Sequence, residues 1–246
     1  MGISVSRNDC LDNATGDYFL FIDSDDYIET DMVEQLVDAA QKNNADIAGC
    51  SYIEEYDDHS VEMPEVYHNN HDQMMRDITL LRIKACMWKM LIRRSIVENN
   101  NVRFIPNRNM VDDYMFCCQA VFFASTFASV NKFLYHYIQY NPNNYSKRAV
   151  FNVESQALAL IETEKFYKQH GAYEIVKEEL LQRKFIAKLP LLLDKNCIDV
   201  GKWRQLLPES NGVWRHMNFS LGNKLIFLLS ESPFFPLVKI LQAVKS

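Results

Sequence analysis

Glycine is scarce in this chain, with 7 in 246 residues, and none stands at the spacing that a dinucleotide fingerprint or a Walker phosphate loop requires. Any phosphate binding is therefore expected to go through a metal ion or basic side chains. The six cysteines, Cys10, Cys50, Cys86, Cys117, Cys118 and Cys197, form no Cys-x-x-Cys pair, and no leader pattern follows Met1. Reduced thiols in a cytoplasmic protein are the expectation. Basic residues are nearly missing from the first third: residues 1–77 hold 3 Lys+Arg against 19 Asp+Glu, and the remainder holds 23 against 13. That acidity argues against nucleic acid as a partner of the first third, while the basic remainder suits phosphates or an anionic membrane face.

A long hydrophobic run is missing as well. Tyr114 to Asn131 carries no charge over 18 residues, the lower edge of bilayer-spanning length. It contains Gln119, Ser125, Thr126, Ser129 and Asn131, and reads instead as a helix over Phe116–Phe123 followed by a strand toward Phe133. His68 and His71 lie three apart beside Asp72 in the loop-like HNNHD, which reads as a solvated loop rather than a metal site. With 48% hydrophobic and 24% charged residues, the chain buries a substantial core in one or two folding units.

What is present is concentrated in FLFIDSDDYI, residues 19–28. The apolar run Tyr18–Ile22 reads as a strand covered on both faces, as in a parallel sheet, and it delivers Asp23, Ser24, Asp25 and Asp26 to the strand end, where open α/β sheets bind ligands. A side-chain period of two points Asp23 and Asp25 the same way. Two such carboxylates suit a hard divalent cation that keeps positions free for phosphate oxygens. The alternative is a solvated acidic turn before a helix opening near Asp31, with Glu34 closing a capping box.

Along the chain, Met32–Lys42 reads as a helix with Met32, Val33, Leu36, Val37 and Ala40 on one face, and Asp46–Ile53 as the next strand, giving a strand-helix-strand unit. An acidic loop over 54–72, a further helical stretch, a strand or turn at Trp88–Ile92 and a short helix at Arg94–Glu98 follow. From about Val150 the pattern becomes long helices, Val153–His170 and Tyr173–Leu193, with the boundary near NPNNYSKR at 141–148. Asp112 and Asp113, before the uncharged helix, form a second carboxylate pair. One group of carboxylates would hold metal while the other does proton chemistry; as an N-cap, the pair would instead serve the helix.

GISVSRNDCLDNATGDYFLFIDSDDYIETDMVEQL resembles the central portion of family 2 glycosyltransferases of the GT-A fold, whose pattern runs through Ser-x-Ala-Arg-Asn and Ala-x-Gly-Asp/Glu-Tyr to an apolar strand ending in Asp-x-Asp-Asp. In the same order, WKMLIRR resembles the family's Trp-Asn-Lys-Leu-Tyr-Lys/Arg-Arg segment, VDDYMF its Gly-Glu-Asp-x-x-Phe segment, and YHY at 135–137 its Tyr-x-Tyr; the set spans residues 2–148. The resemblance implies an α/β protein: a partial GT-A, Rossmann-like mixed sheet with helices over 1–148, then a mostly helical C-terminal extension over 149–246.

It further implies metal-dependent transfer of a sugar from a nucleotide-sugar donor to a saccharide or lipid-linked acceptor hydroxyl, with inversion, in cell-surface polysaccharide or glycoconjugate synthesis. Asp25 and Asp23 match the positions that hold Mg2+ or Mn2+ against the diphosphate, with Asp23 toward the ribose or a metal-bound water and Asp26 supporting. Asp113 matches the base, Asp112 being the second catalytic candidate beside it. Arg7 and Lys89 match nucleotide or phosphate contacts, and Arg7 reads equally as a structural salt-bridge partner. Three departures stand out. The family has a further segment ahead of the Ser-Arg-Asn stretch, so a partial domain is expected; Val111-Asp112 replaces Gly-Glu; and the Arg after Tyr-x-Tyr is missing, leaving Lys147 or Arg148 to substitute.

Other readings remain at this level. A haloacid-dehalogenase-type phosphatase also ends an apolar strand on Asp-x-Asp, and Thr79, Lys89 and Asp112/Asp113 fall in its order, though Tyr27 stands where Thr or Val is expected. A non-catalytic interaction module is the third. The tail SLGNKLIFLLSESPFFPLVKILQAVKS sets Lys224, Lys239 and Lys245 among Leu, Ile and Phe; residues 186–246 hold 8 Lys+Arg against 4 Asp+Glu. It reads either as packed helices or as an interfacial segment giving peripheral contact at the inner face of the cytoplasmic membrane.

Overall fold

The computed structural model describes residues 2–105, 112–141, 153–194 and 196–238. The chain divides into two compact units, Met1–Phe151 and Asn152–Ser246.

The first unit is a mixed sheet flanked by helices. Its elements are α1 (Ile3–Asn13), β1 (Tyr18–Phe19), β2 (Tyr27–Ile28), α2 (Met32–Lys42), β3 (Ile47–Glu55), β4 (Ser60–Met63), α3 (His71–Leu80), a 3-10 turn at Met87–Lys89, β5 (Met90–Arg93), α4 (Arg94–Asn99), α5 (Asp112–Phe123) and β6 (Phe127–Ile138). The strand order is β1-β5-β3-β6-β2, with β4 also on β3. Only β3 and β6 run parallel among the described strands; the other pairings are antiparallel. The expected mixed α/β sheet is therefore present, but not the uniformly parallel one that the strand-helix-strand unit implies.

β3 is the central strand because its residues Ile47 to Tyr52 are all buried, the continuous pattern of a strand covered on both faces. The apolar stripe of α2 packs on it: Met32, Leu36 and Ala40 cluster with Ala48, Cys50, Tyr52, Trp88, Leu91 and Tyr135. Val33, expected on that face, is 47% exposed. Gly49 is required by a close approach, since a Cβ there would lie 2.0 Å from the buried Tyr67 ring.

Tyr18–Ile22 is not the doubly covered strand that its apolarity predicts. Pairing stops after Phe19, and Ile22 is 48% exposed. Strand β1 lies at one edge of the sheet and β2 at the other, so Leu20–Asp26 crosses the sheet end and gains no ladder of its own. The period-two reading of Asp23 and Asp25 fails for the same reason: the chain turns at Ser24–Asp25, and the Asp26 N–H donates to the Asp23 carbonyl at 3.2 Å. The capping box is also not formed, because Asp31 precedes α2 without a side-chain cap bond.

The second unit is helical: α6 (Val153–Gln169), α7 (Tyr173–Lys188), α8 (Pro190–Leu193), α9 (Val200–Gln205), a 3-10 stretch (Pro208–His216) and α10 (Leu221–Glu231). Pro190 ends the long helix expected over Tyr173–Leu193, as a residue without an N–H must. Phe185, Leu192, Trp203, Trp214 and Phe227 form its core. The Lys188 ammonium is buried there and donates to the carbonyls of Leu206 at 2.8 Å and Leu207 at 3.0 Å and to the Asn211 side chain. Burial pushes this amine down to about 7.

Candidate active site

Three sequence-distant pieces meet around Arg7. Helix α1 presents its guanidinium, which pairs through Nη1 with the Asp113 carboxylate and lies 3.5 Å from Asp23 Oδ1 through Nη2. Asp113 is the second residue of α5, where the free N–H groups of a helix start favour a carboxylate. Beneath Arg7 lies an aromatic floor: the guanidinium carbon is 5.5 Å from the Phe104 ring centroid, and Phe104 stacks on Phe116 of α5 at 4.3 Å. The neighbouring Asn8 explains why α1 is held there. Its side-chain amide donates to the Phe104 carbonyl and accepts from the Phe104 N–H, each at 2.9 Å. Its place next to Arg7 in the Ser-Arg-Asn stretch is the only sequence signal for that role.

The acidic turn is anchored from below. Asp26 accepts from the Tyr135 hydroxyl at 2.7 Å and from the Ile138 N–H at 2.8 Å. Burial pushes its carboxyl up to about 6, against the pull of those two bonds. Asp23 is half-buried and Asp25 exposed. Asp26 thus serves as the foot of the turn. No group of three or more His, Cys, Asp or Glu side chains able to hold a metal occurs among the described residues. Asp23 and Asp25 are carboxylates, the donor type that a hard cation takes together with phosphate oxygens and water.

The other sequence candidates are placed differently. Lys89 is 0% exposed; its ammonium pairs with Glu65 and donates to the Tyr67 hydroxyl at 2.9 Å. A cation so enclosed does not contact a phosphate from that position, and its expected nucleotide contact is corrected to a core ion pair. Thr79 is equally buried, which removes both the Thr and the Lys that a phosphatase site of the haloacid-dehalogenase type would need beside Asp23. The backbone of Asp112 opens α5, while its side chain, Val111, Lys147 and Arg148 lie outside the described residues. His71 begins α3 and contacts the Phe122 carbonyl at 2.9 Å.

Comparison with known proteins follows this geometry. Residues 1–100 match the model of Glycosyl transferase family 2. The chain is 27% identical over 265 residues to the uncharacterized glycosyltransferase EpsJ of Bacillus subtilis, covering 97% of this chain and 76% of EpsJ. It is 26% identical over 219 residues to the cholesterol galactosyltransferase of Borreliella burgdorferi, covering 82% of this chain and 59% of that protein. Among solved structures, S. aureus TarS 1–349 in complex with UDP-GlcNAc superposes with a TM-score of 0.64 at 16% identity, over 99% of this chain and 72% of TarS 1–349. The fold is accordingly the α/β arrangement of TarS. Taken with the ordered motifs and the Arg7-centred cluster, these matches support a relationship to glycosyl transferase family 2 that is carried by residues 1–100.

Proposed function

We propose that the site transfers a sugar from a uridine-diphosphate sugar to an acceptor hydroxyl with inversion. The observation that carries this reading is the Arg7 bridge, which brings Asp113 beside Asp23 across 90 residues of sequence. In the proposed reaction, the Asp113 carboxylate takes the acceptor's proton as the acceptor oxygen attacks the anomeric carbon. The bond from that carbon to the diphosphate breaks as the new one forms, and the nucleoside diphosphate leaves with the electron pair. Asp25 and Asp23 would hold Mg2+ or Mn2+, which offsets the charge accumulating on the leaving group. Arg7 keeps Asp113 and Asp23 in register for the two ends of the reaction. The uridine nucleotide is taken from the UDP-GlcNAc and UDP complexes of TarS, and the metal from the two partly exposed carboxylates of the turn.

The acceptor is proposed to be a saccharide or lipid-linked glycan at the cytoplasmic face of a membrane, in surface polysaccharide or glycoconjugate synthesis. Support comes from α10 and the residues after it, where Leu221, Leu225, Leu228, Phe234 and Leu237 are all exposed. The first three share one face at helical spacing, opposite the buried Ile226, Phe227 and Ser230. Lys224 lies on the same helix, and Lys239 and Lys245, beyond the described residues, continue the basic pattern, which suits an anionic bilayer. One relative is a cholesterol galactosyltransferase, which gives an apolar acceptor a precedent among similar proteins. No described helix is long and apolar enough to cross a membrane.

Incubation of the protein with Mn2+ and a panel of nucleotide-sugars, in parallel with p-nitrophenyl phosphate, tests the reading. Release of UDP from one donor, lost without metal and in Asp113→Asn, is expected. Phosphatase turnover without nucleotide release would contradict it.

A further inference from the structure

The acidic turn sits in a stretch with little backbone support, and one buried hydroxyl supplies a fixed point for it. Leu20–Asp26 runs between β1, which pairs with β5, and β2, which pairs with β6 at the opposite edge. Both flanking strands are two residues long, so the ladder contributes little to the placement of the carboxylates. Tyr135 of β6 reaches both ends of the turn. Its hydroxyl accepts from the Asp23 N–H at 3.2 Å and donates to Asp26 Oδ2 at 2.7 Å.

The ring that carries this hydroxyl is itself immobilised. Tyr135 is 0% exposed and stacks on Trp88 at 4.2 Å with planes 20° apart, while Trp88 meets Tyr52 edge-on at 5.0 Å. Irregular register between β3 and β6 after Cys50 brings Tyr135 opposite Tyr52 on one side and Ile28 on the other. Asp26 Oδ1 is meanwhile taken by the Ile138 N–H of the same strand. Both oxygens of Asp26 are therefore tied to β6, and the Asp23 backbone is tied to the same strand through Tyr135.

We infer that Tyr135 is a positioning residue: with Asp26 it forms a clamp that fixes the Asp23–Asp26 turn so that the Asp23 and Asp25 carboxylates are presented together to a divalent cation and a nucleoside diphosphate. The ligand half of this inference rests on the proposed function; the clamp itself does not. Removing only the hydroxyl leaves the Trp88 stack intact and releases the Asp23 N–H and one Asp26 oxygen, the other staying on the Ile138 N–H, so the loss falls on the order of the turn rather than on the core.

Amide exchange of residues 23–26 and calorimetric titration of UDP with Mn2+ test it, on the parent protein, Tyr135→Phe, Asp26→Asn and the double variant. The clamp predicts that exchange in the turn speeds up and affinity falls about tenfold in each single variant, and that the double variant loses less than the sum of the two, because the Tyr135–Asp26 bond is common to both. Unchanged exchange in the turn of Tyr135→Phe, or affinity losses that add in the double variant, would overturn it. Should Tyr135→Phe fail to fold, Asp26→Asn alone decides by the same two readings. Faster exchange in the variants with no UDP binding by the parent would uphold the clamp and defeat the reading of the ligand.

Discussion

Arg7 holds two carboxylates from different parts of the chain while only 12% of its side chain is exposed, so its removal leaves Asp23 and Asp113 facing each other without the intervening charge. Arg7→Ala should cost about 1.5–3 kcal/mol of stability, the range for hydrogen bonds to charged groups. Arg7→Lys should recover little of it, because a single ammonium does not reproduce a fork that serves two carboxylates; urea denaturation of the two variants checks both values. Asp113 carries the chemical prediction. A base positioned on the acceptor proton contributes about 10²–10⁴ in rate, so Asp113→Asn should lower kcat by that much with donor KM little changed. Loss of turnover in Asp112→Asn with Asp113→Asn still active would show that the neighbouring carboxylate is the base. Lys89 gives the opposite kind of prediction, structural rather than catalytic. Truncating it to Met strands Glu65, which is itself buried, and should cost about 3–5 kcal/mol, the usual penalty for breaking a buried pair; Lys89→Met together with Glu65→Gln should recover part of this in thermal denaturation.

Strands and helices differ in how plainly their sequences announce them. Helix α2 is legible because Met32, Leu36 and Ala40 repeat at helical spacing and all three are buried, and β3 is legible from the mostly apolar run Ile47–Cys50 at strand length. Strand β4 lay hidden in what reads as an acidic loop, since its Ser60–Met63 stretch pairs on β3 while remaining largely exposed, and an exposed hairpin strand needs no apolar run. Tyr18–Ile22 misled in the other direction: apolarity there reflects a crossing over the sheet end, which no local period encodes. Asp23, Asp25 and Asp113 stand out in the sequence as candidates, but the pairing of Asp113 with Arg7 and the service of Tyr135 to Asp26 depend on contacts more than a hundred residues apart in sequence, which patterns of spacing do not carry. Two element-level predictions follow from packing. Gly49→Ala drives a methyl into the Tyr67 ring of the β3 face and should destabilise by about 1–3 kcal/mol or more, measurable as a lowered urea midpoint. At the end of α7, the folded state holds Lys188 near 7 against an ordinary value of 10.5. The unfolded chain therefore binds more protons between these values, and stability from this group rises as pH climbs from about 7 to 10.5. Lys188→Met removes that dependence, so the stability of the parent relative to the variant should rise across this window in denaturant titrations at stepped pH.

At the scale of the whole molecule, charge is partitioned along the chain: the acidic first third carries the Asp23–Asp26 turn, and the basic remainder contains a helix, Leu221–Glu231, with an exposed apolar row. Apolar contact with a basic rim predicts sedimentation with anionic vesicles that weakens as salt is raised. Leu225→Ser with Leu228→Ser should reduce it without altering UDP release from the donor in the presence of a soluble acceptor; equal sedimentation of parent and variant would remove this helix as the contact. The central claim, however, is that Asp25, Asp23 and Asp113 form one divided site, two carboxylates for the metal and diphosphate and one for the acceptor proton. Calorimetric titration of UDP into the parent protein, Asp25→Ala and Asp113→Asn, each with and without Mn2+, tests it most directly. The account predicts Mn2+-dependent binding by the parent, its loss in Asp25→Ala, and its retention in Asp113→Asn. UDP affinity that is indifferent to Mn2+, or unchanged in Asp25→Ala, would contradict it.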